Sequence, residues 1–218
     1  IVLAPKGIDR IFLESPGCNR FFDLTHIDFD AVANSRLFHF GYPPLLKQFY
    51  LNNGQQLSEM YAKVKEMGIV TSLDFSLPDP DSESGKVNWP EIMKRTLPSV
   101  DIFVPSIEEL LQTMMPEKYA EIDAMPGSDD FVDKVPVETV REVGKKMIDA
   151  GVKILLIKMG HRGAYLITGD ISDINRTKAF TLAHKSWDHR EIWCNAYAAD
   201  HSKIVNASGA GDTAVAAF

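Results

Sequence analysis

Residues 137–168 read VETVREVGKKMIDAGVKILLIKMGHRGAYLIT, and this stretch decides the fold. Val137–Ala150 is amphipathic at helical spacing, and Gly151 stops it. Val152–Ile157 is a run of β-branched and apolar residues, and Ala164–Thr168 is a further strand after a glycine-containing turn. A strand that is apolar throughout has to be covered on both faces.

The upstream chain repeats the alternation. Leu37-Phe38-His39-Phe40 reads as a strand stopped by Gly41-Tyr42-Pro43-Pro44. Gln55–Met67 carries Leu57, Met60, Tyr61, Val64 and Met67 at helical spacing, with Gly68 as its cap. Ile69–Leu73 is a buried strand ending at Asp74, Trp89–Leu97 is helical, and Asp101–Val104 is a strand. Ser106 opens a helix through Glu108, Glu109, Leu110 and Leu111. Phe29–Ser35 reads as a short helix. Ile1–Pro5 and Arg10–Glu14 read as the arms of a β-hairpin, ended by Ser15-Pro16-Gly17. Apolar strands alternating with amphipathic helices predict an α/β fold with a mostly parallel sheet. Pro78–Ser84 and Met125–Pro136 are acidic and proline-containing, and are expected to be solvated loops, the second an insertion. After Thr168 the chain reads as irregular until Lys203–Val205 leads into a last helix.

Composition narrows the function. A chain of 218 residues predicts one large domain, or one domain with a small appendage. Hydrophobic residues at 45% and charged residues at 24% fit a soluble globular protein. A net charge of -7 argues against nucleic acid or an anionic membrane as the main partner, while leaving room for a local basic pocket. No apolar run has membrane-spanning length and no signal peptide is visible. The two cysteines, Cys18 and Cys194, are expected to be buried free thiols in a reducing, cytoplasmic compartment. The six histidines show no metal-ligand spacing, so no structural metal site is expected. The sequons at Asn175 and Asn206 are read as chance. The chain starts at Ile1 in a strand-like segment and stops at Phe218 within an apolar helical pattern, so both ends are expected to be cut.

In such sheets ligands bind at the carboxyl ends of the strands. The chemically loaded residues sit there: Gly41, Asp74, Ser106, Lys158 and the turn Gly209-Ala210-Gly211-Asp212. Glycines in a strand-to-helix turn let backbone N–H groups approach an anion, and the helix dipole adds positive potential. Such a turn suits the charge on a transferring phosphoryl group. Asp212, in the first turn, can accept a proton from an attacking hydroxyl. On its own the tetrapeptide is equally a tight turn with a helix-capping aspartate.

Ser208-Gly209-Ala210-Gly211-Asp212-Thr213-Ala214 resembles the D-T-x-G-A-G-D signature of the ribokinase-like (pfkB) carbohydrate kinases. Ser15-Pro16-Gly17-Cys18-Asn19 resembles that family's P-G-A-N turn after the lid hairpin, and Phe38–Tyr42 the strand end bordering the sugar site. Ile69–Phe75 resembles the strand ending in aspartate, Pro105-Ser106-Ile107-Glu108-Glu109 resembles P-N-x-x-E, and Lys158–Ala164 the strand turn by the nucleotide. These elements follow the family order over nearly the whole chain.

The resemblance implies a ribokinase-like three-layer sandwich, with residues 1–17 part of a β lid and 18–218 the kinase core. It implies Asp212 as the base, and the backbone of Gly209, Ala210 and Gly211 as an anion hole. It implies Glu109 at the Mg²⁺ of Mg-ATP, and Lys158, Gly160 and Ser106 near the nucleotide. Asn19 and Gly41 would lie near the acceptor. ATP and Mg²⁺ are the implied cofactors, with a monovalent cation as a further candidate, and a homodimer is the implied assembly. The activity implied is phosphorylation of a sugar or sugar-like hydroxyl. Alternatives are a nucleoside kinase of the same fold and a non-catalytic sugar- or nucleotide-binding homologue. A Rossmann oxidoreductase lacks support, since no G-x-G-x-x-G joins a first strand and helix.

The residues alone leave blander readings open. Glu109 could be a dipole-stabilised first-turn glutamate, Lys158 a turn flank, Asp74 a strand end and Asn19 a turn residue. Ser106 stands where the family has asparagine, and Asn206 replaces the first aspartate of the long signature. The family's N-terminal substrate-binding aspartate and double glycine, and its adenine-enclosing segment, have no counterpart among these residues.

Overall fold

Val70, Thr71, Ser72 and Leu73 are all buried, because the strand they form has other strands on both sides and packing on both faces. A computed structural model describes residues 1–3, 11–13, 15–177, 181–198 and 208–218. The strands are β1 (Val2–Leu3), β2 (Ile11–Phe12), β3 (Leu37–Phe40), β4 (Val70–Leu73), β5 (Ile102–Phe103), β6 (Ile154–Lys158), β7 (Ala164–Thr168) and β8 (Glu191–Cys194). The helices are α1 (Phe29–Ala33), α2 (Lys47–Glu66), α3 (Trp89–Thr96), α4 (Ile107–Met114), α5 (Pro116–Asp123), α6 (Phe131–Lys134), α7 (Val137–Asp149), α8 (Ser172–Arg176), α9 (His184–Trp187) and α10 (Ala210–Ala217). β1 and β2 pair antiparallel as a separate ribbon. The other strands form one sheet in the order β3-β4-β5-β6-β7-β8. β3 to β6 are parallel, and β7 and β8 run antiparallel to their neighbours.

Period-two alternation splits each strand between two layers. Leu73, Phe103, Leu155, Ile157 and Tyr165 face a large core built from α2, α3, α4 and α7. Val70, Ile102, Val104 and Ile154 face a smaller one completed by Ile171 and Ile174, with Val215 of α10 packed against it. Below the sheet, Asp101 is buried and paired with Lys65, and accepts a hydrogen bond from Thr71 N at 3.0 Å. A carboxylate taken out of water needs such partners. Among the described residues no helix is long and apolar enough to cross a membrane.

Several expectations need correction. The helix read from Gln55 is preceded by a helical segment from Lys47 that the sequence reading lacks, the two parts of α2 being separated by a kink with extended backbone at Leu51 and left-handed backbone at Asn52, Asn53 and Gly54. Gly54 is required there, since a Cβ would run into Ile92 of α3. The segment 125–136 is not merely a solvated loop. It contains α6, and Phe131 and Val135 are buried in the large core, with Phe131 stacked on Tyr119 at 4.7 Å between centroids. Helix α5, absent from the sequence reading, supplies the buried Ile122. The stretch read as irregular after Thr168 holds α8, α9 and β8. Pro78–Ser84 is exposed along most of its length, but Pro78 and Ser84 are buried. Cys18 and Cys194 are both free and exposed, not buried, because the turn around Cys18 and the outermost strand β8 lie at the surface. The hairpin turn at 6–9, the strand read at Lys203–Val205, and Asn206 lie outside the described residues.

Phe131→Ala is expected to cost about 3 kcal/mol of unfolding free energy, as loss of a buried aromatic does. Asp129→Ala, at an exposed position of the same segment, is expected to stay within about 0.5 kcal/mol. Urea unfolding of both checks this, and equal small effects would return the segment to a solvated loop.

Candidate active site

Parallel strands finish on one edge of a sheet, so the ends of β3, β4, β5 and β6 share that edge. The ladder continues beyond β3 and β4: Asp74 N donates to Phe40 O (3.2 Å) and Tyr42 N donates to Asp74 O (3.3 Å). Beyond β5, Ser106 bridges Lys158 in parallel register, and Lys158 N donates to Pro105 O at 2.9 Å. Four strand ends are thereby tied side by side.

Their side chains converge. Lys158 Nζ donates to Asp74 Oδ1 at 2.8 Å, with side chains 17% and 4% exposed, so each is the other's compensation for burial. Lys158 also lies against the turn that opens α10, where a Cβ built on Gly211 would stand 3.9 Å from Nζ. Gly209, with φ of 78°, caps that helix, and Asp212 sits in its first turn. Asp212 Oδ1 accepts a hydrogen bond from the Tyr42 hydroxyl at 2.8 Å.

Ser106 caps α4 reciprocally. Glu109 N donates to Ser106 Oγ (3.2 Å), and Ser106 N donates to Glu109 Oε2 (2.7 Å). Burial pushes the Glu109 carboxyl up to about 7. The Ser106 hydrogen bond and the Lys158 charge oppose that rise, and the Asp74 charge adds to it. Burial and the neighbouring carboxylates of Asp212, Asp74 and Glu109 hold the Tyr42 hydroxyl far above the usual tyrosine range, so it remains a donor. His39 hydrogen-bonds Ser72 Oγ at 3.0 Å, and burial lowers its pKa, opposed by Asp74 and aided by Lys158.

A cavity of about 500 Å³ lies between this edge and α10, lined by Gly41, Tyr42, Asp74 and Asp212 above apolar Ile102 and Val104. Asn19 lines a different cavity of about 570 Å³, with Pro44, Lys47 and Glu83. Asn19 and Gly41, read together as acceptor contacts, therefore do not share one space; the 42–45 segment borders both. Gly160, with φ of 51°, lies in the exposed turn after β6. That turn is stapled to the 131–135 segment: Arg162 donates to Val132 O and Val135 O at 2.7 Å each, and His161 meets Asp133 at 2.7 Å. Asp74 is one of the chemically loaded strand ends in the sequence, read there as a strand end without an assigned role, and Tyr42 has none beyond its place in the Phe38–Tyr42 strand end. A bulky residue between glycine and two prolines was the available signal for Tyr42.

The donor set fits the groups that the resemblance implies. Carboxylate oxygens of Asp74, Glu109 and Asp212 are hard donors of the kind Mg²⁺ takes. Lys158 and the first-turn amides of α10 are suited to phosphate.

The model of the pfkB family of carbohydrate kinases matches residues 1–218. Comparison with curated proteins finds no match. Among solved structures, Arabidopsis thaliana ribokinase complexed with ribose and ATP is 19% identical, with a TM-score of 0.58 over 100% of this chain and 53% of that one. Thermotoga maritima ribokinase is 15% identical, with a TM-score of 0.56 over 97% and 51%. An E. coli protein described as a ribokinase II, in complex with ATP and Mg²⁺, is 20% identical, with a TM-score of 0.57 over 94% and 51%. The chain spans about half the length of these structures, and the likeness shows the ribokinase fold.

Glu109 carries a stability prediction. Its folded pKa of about 7 lies above the ordinary 4.5, so the native state holds its proton longer than the unfolded chain does. The stability this contributes is full below pH 4.5 and is lost as pH rises through about 7. Glu109→Gln should therefore match the parent in thermal melts at acid pH and exceed it increasingly up to neutrality. Parallel melting curves at all pH values would remove the buried-carboxyl interpretation.

Proposed function

The chain belongs to the pfkB family of carbohydrate kinases, and from that premise we propose that it transfers the γ-phosphoryl group of ATP to a hydroxyl of a sugar or sugar-like molecule, with Asp212 as the base. The observation that carries this reading is the position of Asp212. It opens α10 beside Lys158, on the edge where four parallel strands end.

Each residue has a chemical task in this reading. Asp212 takes the proton of the acceptor hydroxyl as the new O–P bond forms. The backbone N–H groups of Gly209, Ala210 and Gly211, with the α10 dipole, stabilise the negative charge on the transferring group. Lys158 neutralises phosphate charge, and Asp74 holds its ammonium in the site before nucleotide arrives. Glu109 holds the hydrated Mg²⁺, and Ser106 fixes Glu109 by the reciprocal cap. Mg-ATP, when bound, supplies the phosphoryl group and its leaving diphosphate. Gly160 lies in a turn that would border the nucleotide. Gly41 lines the acceptor cavity, while Asn19 would contact acceptor only through the neighbouring cavity.

Residues 1–17 would form part of a lid over the acceptor. Ile1, Val2, Leu3, Ile11 and Leu13 are exposed apolar residues on the ribbon, which supports a covering role and packing against a second copy. A monomeric mass at micromolar concentration would remove the homodimer.

Asp212→Asn should abolish transfer while leaving ATP binding largely intact, because its carboxylate acts on the hydroxyl. ADP release from Mg-ATP against a panel of sugars, ketoacid sugars and nucleosides, run on the complete polypeptide, tests this and names the acceptor class. Loss of ATP affinity equal to the loss of rate would sink the assignment. Glu109→Gln should raise the Mg²⁺ concentration needed for half-maximal rate, and an unchanged Mg²⁺ titration would remove Glu109 from the metal site.

A further inference from the structure

We infer that Tyr42 is the positioning residue of the base: its hydroxyl holds one oxygen of Asp212, so that the other is presented to the acceptor. The inference rests on the reading of Asp212 as the base and adds a residue to it.

Three observations converge on Tyr42. The first is the contact itself, Tyr42 Oη to Asp212 Oδ1 at 2.8 Å, between residues 170 positions apart in sequence. A donor at that distance removes one carboxylate oxygen from competition and fixes the plane of the group. Asp212 lies on an exposed helical first turn.

The second is backbone strain. Tyr42 has φ of 58° and ψ of 51°, a left-handed conformation that bulky side chains seldom adopt. It also precedes Pro43, which further narrows the conformations open to it. The surroundings impose the conformation. Tyr42 N is tied to Asp74 O, Tyr42 O accepts from Leu45 N at 2.9 Å, and Pro43 and Pro44 are buried. A glycine would occupy this position without strain. Strain of this kind is held where the side chain it aims has a use. The ring it aims here lines the cavity that contains Asp212.

The third is the electrostatic setting. The charged groups bearing on the hydroxyl come from three elements: Asp74 at the end of β4, Glu109 of α4 and Asp212 of α10. Lys158, at the end of β6, is engaged by Asp74. Surrounded by carboxylates, the phenol keeps its proton and remains a donor. It therefore cannot itself be the base, and its contribution is orientation together with stabilisation of the charged carboxylate.

The test is Tyr42→Phe, which keeps the ring and the backbone and removes only the donor. A hydrogen bond to a charged group is worth roughly 10- to 100-fold. On the complete polypeptide, with whichever member of the acceptor panel supports ADP release, kcat should fall by about that factor. The KM for ATP should stay unchanged, whereas a purely structural role for Tyr42 would move kcat and KM together. The contact has a readout independent of turnover. In protein labelled with ¹³C at the tyrosine ring carbon bearing oxygen, the Tyr42 resonance, identified by its loss in Tyr42→Phe, should shift in Asp212→Asn. An unshifted resonance, or a Tyr42→Phe enzyme with parental kcat beside an inactive Asp212→Asn, would overturn the inference alone. A fully active Asp212→Asn would overturn the base assignment, and this inference with it.

Discussion

The ion pair between Asp74 and Lys158 spans the narrowest part of the sheet. Asp74 follows β4, Lys158 ends β6, and between them β5 is two residues long. A strand that short contributes few ladder hydrogen bonds, so the relative position of its neighbours' ends depends on what links them across it. Two groups that are nearly removed from water have no better partner than each other, and separating them would leave two uncompensated charges. The backbone bridge from Ser106 to Lys158 completes the link. Helix α4, whose cap is Ser106, and α10, whose first turn rests against Lys158, are then located relative to the same ammonium group.

The fold was legible wherever burial imposed a period. The core strands and the helices α3, α4 and α7 have apolar faces that read directly from sequence; the structure ends the strands, α3 and α7 within one or two residues of the expected bounds and carries α4 on to Met114. The acidic, proline-containing segment around Phe131 was misread because its composition is that of a solvated loop. Its two buried side chains are too few to set a period, and only the tertiary core gives them a reason to be inside. Strand β8 was missed for the opposite reason. As the outermost strand its residues are mostly exposed, so no buried run marks it. The cysteines follow from the same cause, since both fall on peripheral segments.

The candidate site divides in the same way. Gly209–Asp212 and Ser106–Glu109 are contiguous in sequence and perform their local tasks as turns and caps, so spacing alone could single them out. Lys158 and Asp74 are both marked as strand ends in the sequence, but their pairing is not. Asp74 lies 84 positions from Lys158 and reads as an ordinary strand end until the parallel register sets the two together. Tyr42 is a harder case. Nothing in its neighbours' chemistry indicates a polar task, and its meaning comes from a backbone conformation that sequence does not display. Asn19, read from a motif, lines a cavity separate from the one that Gly41 lines, a relation that order along the chain does not display.

Charge balance links these contacts to the expected ligand. Asp74, Glu109 and Asp212 all bear on Tyr42, and among the described residues one ammonium, Lys158, stands with them. Burial is the first cause of the rise at both Glu109 and Tyr42; neighbouring carboxylates add to it, and at Glu109 the Ser106 hydrogen bond and the Lys158 charge oppose it. A bare polyphosphate would meet this edge unfavourably, because like charges would face each other in a partly desolvated space. In the proposed reading the same edge would favour a polyphosphate that arrives with a divalent cation, since the carboxylates would hold the cation while Lys158 and the α10 amides would meet phosphate. On this account Glu109, held near neutrality by its surroundings, would give up its proton as the cation binds. The negative charge of these carboxylates would then select the metal complex over the free nucleotide.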